Sequence, residues 1–170
     1  MSPVLTVVWL SAELSVKGRR ELLSCMKKPV STAETPGYIY MYTHSQATEE
    51  VYYKVGRAKN VKTRMSQLEK SCMNKIVLVK FFPSGDNDES CPRKVTMCLN
   101  THRVERLIHL ELADRFGRME PRICHCGKIH REWFRAGKGK NGWEQLRDVI
   151  TRWVDFGRIA YGEFIEKYPR

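Results

Sequence analysis

The chain has 170 residues, with 30 Lys+Arg against 19 Asp+Glu and a formal net charge of +11. That length suits one domain, or one domain with a tail, and 42% hydrophobic residues supply enough apolar surface for a core, which excludes wholesale disorder. No stretch approaches the ~20 apolar residues that a membrane-spanning helix needs, and VLTVVWL near the start lacks the basic residues that precede a signal-peptide core. The expectation is an intracellular basic domain, nuclear or cytoplasmic, without a membrane partner, and the excess of positive charge points to a polyanion.

Residues 1–35 read as an N-terminal extension, partly helical or flexible. SVKGRRELLSCMKK is a short basic helix and PVSTAETPG is turn and linker material. From Pro36 the pattern becomes regular. YIYMYT (38–43) is aromatic and β-branched, and VYYKVG (51–56) is a second strand ending at Gly56. Asn60 caps a helix whose apolar stripe is Val61, Met65, Leu68 and Cys72. KIVLVKFFP (75–83) is a third strand, and 84–94 is an exposed loop with acidic residues at 86–89. A helix spans about 101–116 and stops at Gly117. After a cysteine-rich connection comes REWF, read as a short strand or turn. A last helix starts at Asn141, with Glu144 completing a capping box and Leu146, Val149, Ile150 and Trp153 as its stripe. The domain boundaries are 36–158, with 159–170 as a C-terminal tail.

Two groups of residues carry chemistry. Tyr38, Tyr40 and Tyr42 share one strand face, because side chains repeat every two residues, and Tyr53 sits on the second strand. Arg64 borders the sheet-facing side of the helix after Gly56, where a charge is costly unless it is paired or lines a cleft. Glu105 and His109, four residues apart, project from the same side of the later helix.

In their order and spacing, GYIYMY (37–42) and YKVGRAKNVKTR (53–64) look like the GIY-YIG nuclease superfamily. VGRAKNVKTR resembles the hairpin and first helix of the bacterial excision nuclease, and VERLIHLEL and HREWF are similar to the subfamily first described from a phage reading frame, which also occurs in fungi. The resemblance covers roughly 36–155. It implies an α+β fold, a small three-stranded antiparallel sheet flanked by helices, and phosphodiester cleavage with one divalent metal. Carried over by position, Arg64 stabilises the phosphate, Glu105 holds Mg²⁺ or Mn²⁺, and Tyr40 matches the tyrosine of the first motif, with Tyr38 as its rival. The second motif has Lys54 where its tyrosine should stand. That leaves the general base open among Tyr40, Tyr53 and a metal-bound hydroxide assisted by Lys54. The residue types suit the chemistry: a guanidinium stabilises charge on nonbridging oxygens, and Mg²⁺ accepts one or two carboxylates with water in its remaining positions.

The second group is CHCGKIH, with Cys124, Cys126 and His130 in seven residues. A structural zinc ion takes four Cys/His ligands. His109 is the first choice for the fourth, and Cys91, His102 and His125 are alternatives. Such a clip would stabilise the loop before EWF. Cys72 and Cys98 read as small buried hydrophobes. Glu132 reads as a salt-bridge or supporting residue beside core anchors Trp133 and Phe134.

Arg57, Lys59, Lys62, Lys138 and Lys140 are the expected nucleic-acid-binding residues, tracking backbone phosphates with little sequence preference. The leading expectation is a divalent-metal-dependent endonuclease, a hydrolase acting on DNA, with RNA and branched DNA also open as substrates. The alternatives are a nucleic-acid-binding module of the same fold without catalysis, or a zinc-stabilised protein-interaction domain.

Overall fold

A computed structural model describes residues 9–44, 51–72, 76–84, 97–123, 127, 129–136 and 142–161. In chain order the elements are α1 (Val16–Lys27), β1 (Tyr38–His44), β2 (Tyr52–Ala58), α2 (Val61–Cys72), β3 (Ile76–Phe82), α3 (Thr101–Phe116), β4 (Arg122–Ile123), β5 (Ile129–His130), β6 (Trp133–Arg135) and α4 (Gly142–Tyr161). The α+β architecture is as expected, with one strand more. The main antiparallel sheet runs β3-β1-β2-β6, and β4 and β5 form a separate two-stranded ribbon. REWF is the source of the extra strand. Three residues are too short to display a period of two, so the sequence left strand and turn open.

Strand alternation divides the core. Ile39, Met41, Val55, Phe82 and Phe134 face one way, into a cluster with Leu22 of α1, Val104, Leu107, Ile108 and Leu112 of α3, and Leu146, Ile150 and Trp153 of α4. Tyr40, Tyr42 and Trp133 face the other way and meet Val61, Met65 and Leu68 of α2. The N-terminal extension is part of this packing: Leu14, Leu22, Cys25 and Met26 are buried in the larger cluster. Arg103 of α3 fastens it, donating to the carbonyls of Cys25, Lys28 (2.9 Å) and Pro29 (2.6 Å).

Local signals explain the helix starts. Asn60 Oδ1 accepts from Thr63 N–H at 3.0 Å, which satisfies one of the open donors at the start of α2. The capping box expected at Asn141 lies outside the described residues, although α4 begins next to it and buries the whole expected stripe. Glu111 of α3 is fully buried. It accepts from Arg115 Nη1 (3.0 Å), Arg152 Nη2 and Trp153 Nε1 (2.8 Å), so α3 and α4 are joined through one carboxylate. Among the described residues no helix is long and apolar enough to cross a membrane.

Candidate active site

β6 pairs with β2 only from Tyr52 to Lys54. Beyond Lys54 the outer edge of β2 is left to side chains and loop. Val55 N–H donates to the carbonyl of Glu132 at 3.3 Å, and His109 Nε2–H donates to the carbonyl of Val55 at 3.1 Å. The chain at Glu132 turns with φ 73°, which is unusual for a residue with a side chain. His109 Nδ1 lies 3.9 Å from Glu132 Oε1. Burial pushes the His109 imidazolium down to about 4, with Glu132 pulling the other way.

Lys54 is only 6% exposed. Its Nζ donates to the Arg131 carbonyl (2.5 Å) and to Glu132 Oε2 (3.1 Å). Burial lowers its pKa, and the Glu132 carboxylate opposes that shift. The register Tyr42↔Lys54 and Tyr40↔Gly56 puts Lys54 on the tyrosine face. The Tyr40 hydroxyl, raised in pKa by burial and drawn down by Arg64, accepts from Arg64 Nε at 3.4 Å.

Gly56 is required by close approach, since a Cβ there would stand 2.6 Å from Tyr40 Oη and 2.8 Å from Cζ. Gly56→Ala is therefore expected to cost about 1–3 kcal/mol, the range for an overpacked core. The cost should shrink in a Tyr40→Phe background, which lacks the nearest atom. Urea unfolding of the four proteins of this double-mutant cycle checks it, and an equal cost in both backgrounds would refute the close-approach reading.

Glu105 reaches β2 from α3, and its Oε2 lies 2.7 Å from Arg57 Nε. Burial pushes the Glu105 carboxyl up to about 7; Arg57 pulls it down, and the nearby Glu132 charge adds to the rise. Two carboxylates whose charges oppose each other are what a hard divalent cation relieves, and Mg²⁺ or Mn²⁺ takes one or two carboxylates with water. No group of three His, Cys, Asp or Glu that could hold a metal occurs among the described residues. The two carboxylates are oxygen donors of the kind that a hydrated Mg²⁺ or Mn²⁺ takes.

Of the expected catalytic residues, the structure brings together Tyr40, Lys54, Arg64 and Glu105, and adds Arg57, His109 and Glu132. Tyr53 packs on the opposite sheet face, against the larger core cluster. Tyr38 turns to β3, with its ring edge-to-face on Phe81 at 5.7 Å. Arg57, expected to bind nucleic acid, is ion-paired with Glu105; no sequence signal pairs residues 48 positions apart. Lys59 and Lys62 are exposed at the start of α2, whereas Lys138 and Lys140 lie outside the described residues. So do Cys91, Cys124, His125 and Cys126. His109, first choice as a zinc ligand, has one ring nitrogen on Val55 and the other toward Glu132. The residue beside His130 is Cys72, with Sγ 3.3 Å from Nε2. Its place on an apolar stripe had marked it as core only.

Comparison with known proteins gives one family. The model of the family described as "Meiotically up-regulated gene 113" matches residues 50–156. The meiotically up-regulated gene 113 protein of Schizosaccharomyces pombe is 28% identical over 137 residues, covering 75% of this chain and 39% of that protein. The chain therefore spans about two-fifths of the length of that relative, whose name states no biochemical activity. No solved structure matches significantly. These findings correct the expected place in the GIY-YIG superfamily: neither match names it, and Lys54 already departs from its second motif. The geometry gives the physical reason. Alternating tyrosines and a glycine where Tyr40 crosses β2 are packing requirements of this sheet, so those short motifs do not identify a lineage.

Proposed function

We propose that this chain, which belongs to the meiotically up-regulated gene 113 family, is a divalent-metal-dependent endonuclease that hydrolyses phosphodiester bonds in DNA. The observation that carries the reading is the convergence of Arg64, Tyr40, Lys54 and Glu105 at the open end of β2, in a chain of net charge +11. Arg64 is exposed and already directed by Tyr40, so its free guanidinium edge suits the nonbridging oxygens of a phosphodiester. Glu105, with Glu132 beside it, would hold Mg²⁺ or Mn²⁺. Bound there, the cation supplies Lewis-acid charge neutralisation and a more acidic water.

Lys54 and Tyr40 divide the work. Lys54, paired with Glu132, adds positive charge to the site, and burial favours the neutral phenol of Tyr40, a proton donor on the same sheet face. As water attacks phosphorus, its proton passes to solvent water. The P–O bond to the leaving oxygen breaks, and that oxygen takes the proton of Tyr40 Oη. Lys59 and Lys62, exposed beside Arg64, bind flanking phosphates. The setting is intracellular, nuclear or cytoplasmic.

The test is a nicking assay on duplex, branched and single-stranded DNA and on RNA, with Mg²⁺ or Mn²⁺. Arg64→Ala should lower cleavage by about 10²–10³-fold while leaving much of the binding, and Lys59→Ala should mainly weaken binding and reduce its salt dependence. Equal background from wild type and Arg64→Ala would remove the enzyme reading. A second reading, a binding module without catalysis, draws on the Arg57–Glu105 ion pair, which already occupies the proposed metal anchor. Salt-dependent DNA binding with no metal-stimulated cleavage would favour it.

A further inference from the structure

We propose, resting on the DNA-binding part of that function, that the cleft between α2 and β3 holds one unpaired base of the bound strand. The preferred substrate is then single-stranded, flapped or otherwise splayed DNA and not continuous duplex. Among the described residues β3 is an edge strand, paired with β1. The register Tyr40↔Phe81 and Tyr42↔Leu78 puts Phe81 and Leu78 on the tyrosine face, because residues directly opposite in an antiparallel pair point to the same side. α2 covers Tyr40, Tyr42 and Ile76 on that face, yet Leu78 stays 39% exposed and Phe81 36%. With Tyr38 and Met97 they form the apolar side of a cleft of about 620 Å³, and Val61 and Met65 of α2 form its other side. Ligand sites span roughly 300–1,000 Å³.

The cleft pairs a stacking surface with cations. Tyr38 and Phe81 stand edge-to-face at 5.7 Å, an arrangement that leaves ring faces open to a third flat group. Every nucleobase has a π-face, and stacking on aromatic side chains holds single strands with little sequence preference. Lys59 and Lys62, both exposed, edge the same cleft, so a strand whose base enters it meets positive charge for its flanking phosphates. Ser66 and Glu69, one and two turns beyond Lys62, present a hydroxyl and a carboxylate that can accept from a base amino group.

Position ties the cleft to the chemistry. Phe81 lies directly across from Tyr40, and Arg64 follows Lys62 by two residues on α2. A phosphate at Arg64 therefore has its neighbouring base within reach of the cleft. A base inside a duplex is stacked and paired and must leave the stack to enter, whereas an unpaired base enters without that cost. A second copy of the chain would set its own lysines against these, which like-charge repulsion opposes.

The experiment uses the full chain with EDTA, so that binding is read without cleavage. Fluorescence anisotropy compares one labelled sequence as single strand, as blunt duplex and as duplex with a single-stranded flap. Single strand and flap should bind at least about fivefold more tightly than duplex. Phe81→Ala should weaken single-strand and flap binding by about 5–100-fold, the range for one lost stacking partner, with the salt slope unchanged and duplex affinity within twofold. Phe81→Trp should restore it. On the wild type, a strand with abasic residues in place of its bases should lose a similar factor, which keeps the test open if Phe81→Ala does not fold. Equal affinity for single strand and duplex, for abasic and normal strands, or for wild type and folded Phe81→Ala would each overturn the base site while leaving the nuclease to the nicking assay. The expected preferences in a chain that does not nick would keep the base site and remove the nuclease. A dimer that Phe81→Ala disperses, read by sedimentation, would assign the cleft to a second copy and overturn the proposal.

Discussion

Replacing Glu105 with glutamine is expected to strengthen the fold while abolishing metal-dependent cleavage. Glu105 is held at about 7 in the folded chain against an ordinary 4.5, because burial outweighs Arg57. The folded state thus binds a proton that the unfolded state has released between those values. Stability of the wild type should fall as pH rises through about 4.5 to 7 and stay level above, since the carboxylate is then ionised in both states. Glutamine mimics the protonated form. Its advantage should be near zero at about pH 4 and reach on the order of 2–3 kcal/mol at about pH 8, read by urea unfolding without metal. Cleavage should drop by about 10² or more, and Mg²⁺ should stabilise the wild type but not the variant. No gain at high pH, or equal stabilisation of both by Mg²⁺, would break this account.

His109 runs the opposite way. Its folded value of about 4 lies below the ordinary 6.5, so its contribution is present above about 6.5 and is lost as pH falls toward 4. The two slopes oppose each other in the wild type. In Glu105→Gln only the histidine slope remains, and unfolding free energy should climb with pH between about 4 and 6.5.

The second large effect is at Glu111. Its carboxylate is fully buried with three donors, and two of them, Arg115 and Arg152, also hold Glu13 and the Trp9 carbonyl. Glu111→Ala would leave two partly buried guanidiniums without their shared anion, a loss of roughly 3–5 kcal/mol. For a chain of this size that is a Tm decrease of about 6–20 °C. Glu111→Gln keeps one acceptor oxygen and should lose less. Thermal unfolding of both variants checks it; equal losses, or a loss below ~1 kcal/mol from alanine, would show that the network is dispensable.

The parts of the fold that could be read from sequence are those with a long period. The stripe of Val61, Met65, Leu68 and Cys72 and the 101–116 helix are present as expected, because sixteen or twelve residues display several turns. β6 offered three residues and no period. The same division holds at the site. Arg64 and Glu105 stood out as charges on apolar borders, a cost that asks for a partner. Their partners were illegible: Tyr40 is 24 residues from Arg64, and Arg57 is 48 from Glu105. Cys72 is buried as expected, but its neighbour was illegible for a related reason. A cysteine on a helical stripe looks the same whether it meets leucine or histidine, and the histidine lies 58 residues on. Glu132 was rightly read as an ion-pair residue, with Lys54 as its partner.

The short β6 has a further consequence for how the molecule behaves in company. An unpaired stretch of strand is a template on which another chain can add itself. At Val55 that template is closed, because Glu132 takes the N–H and His109 covers the carbonyl. The residues gathered for chemistry are thus also the guard against edge-to-edge aggregation. Selection for a working site and selection for staying monodisperse would both act on His109, whose side chain covers the carbonyl, whereas the cover on the N–H is the main chain at Glu132.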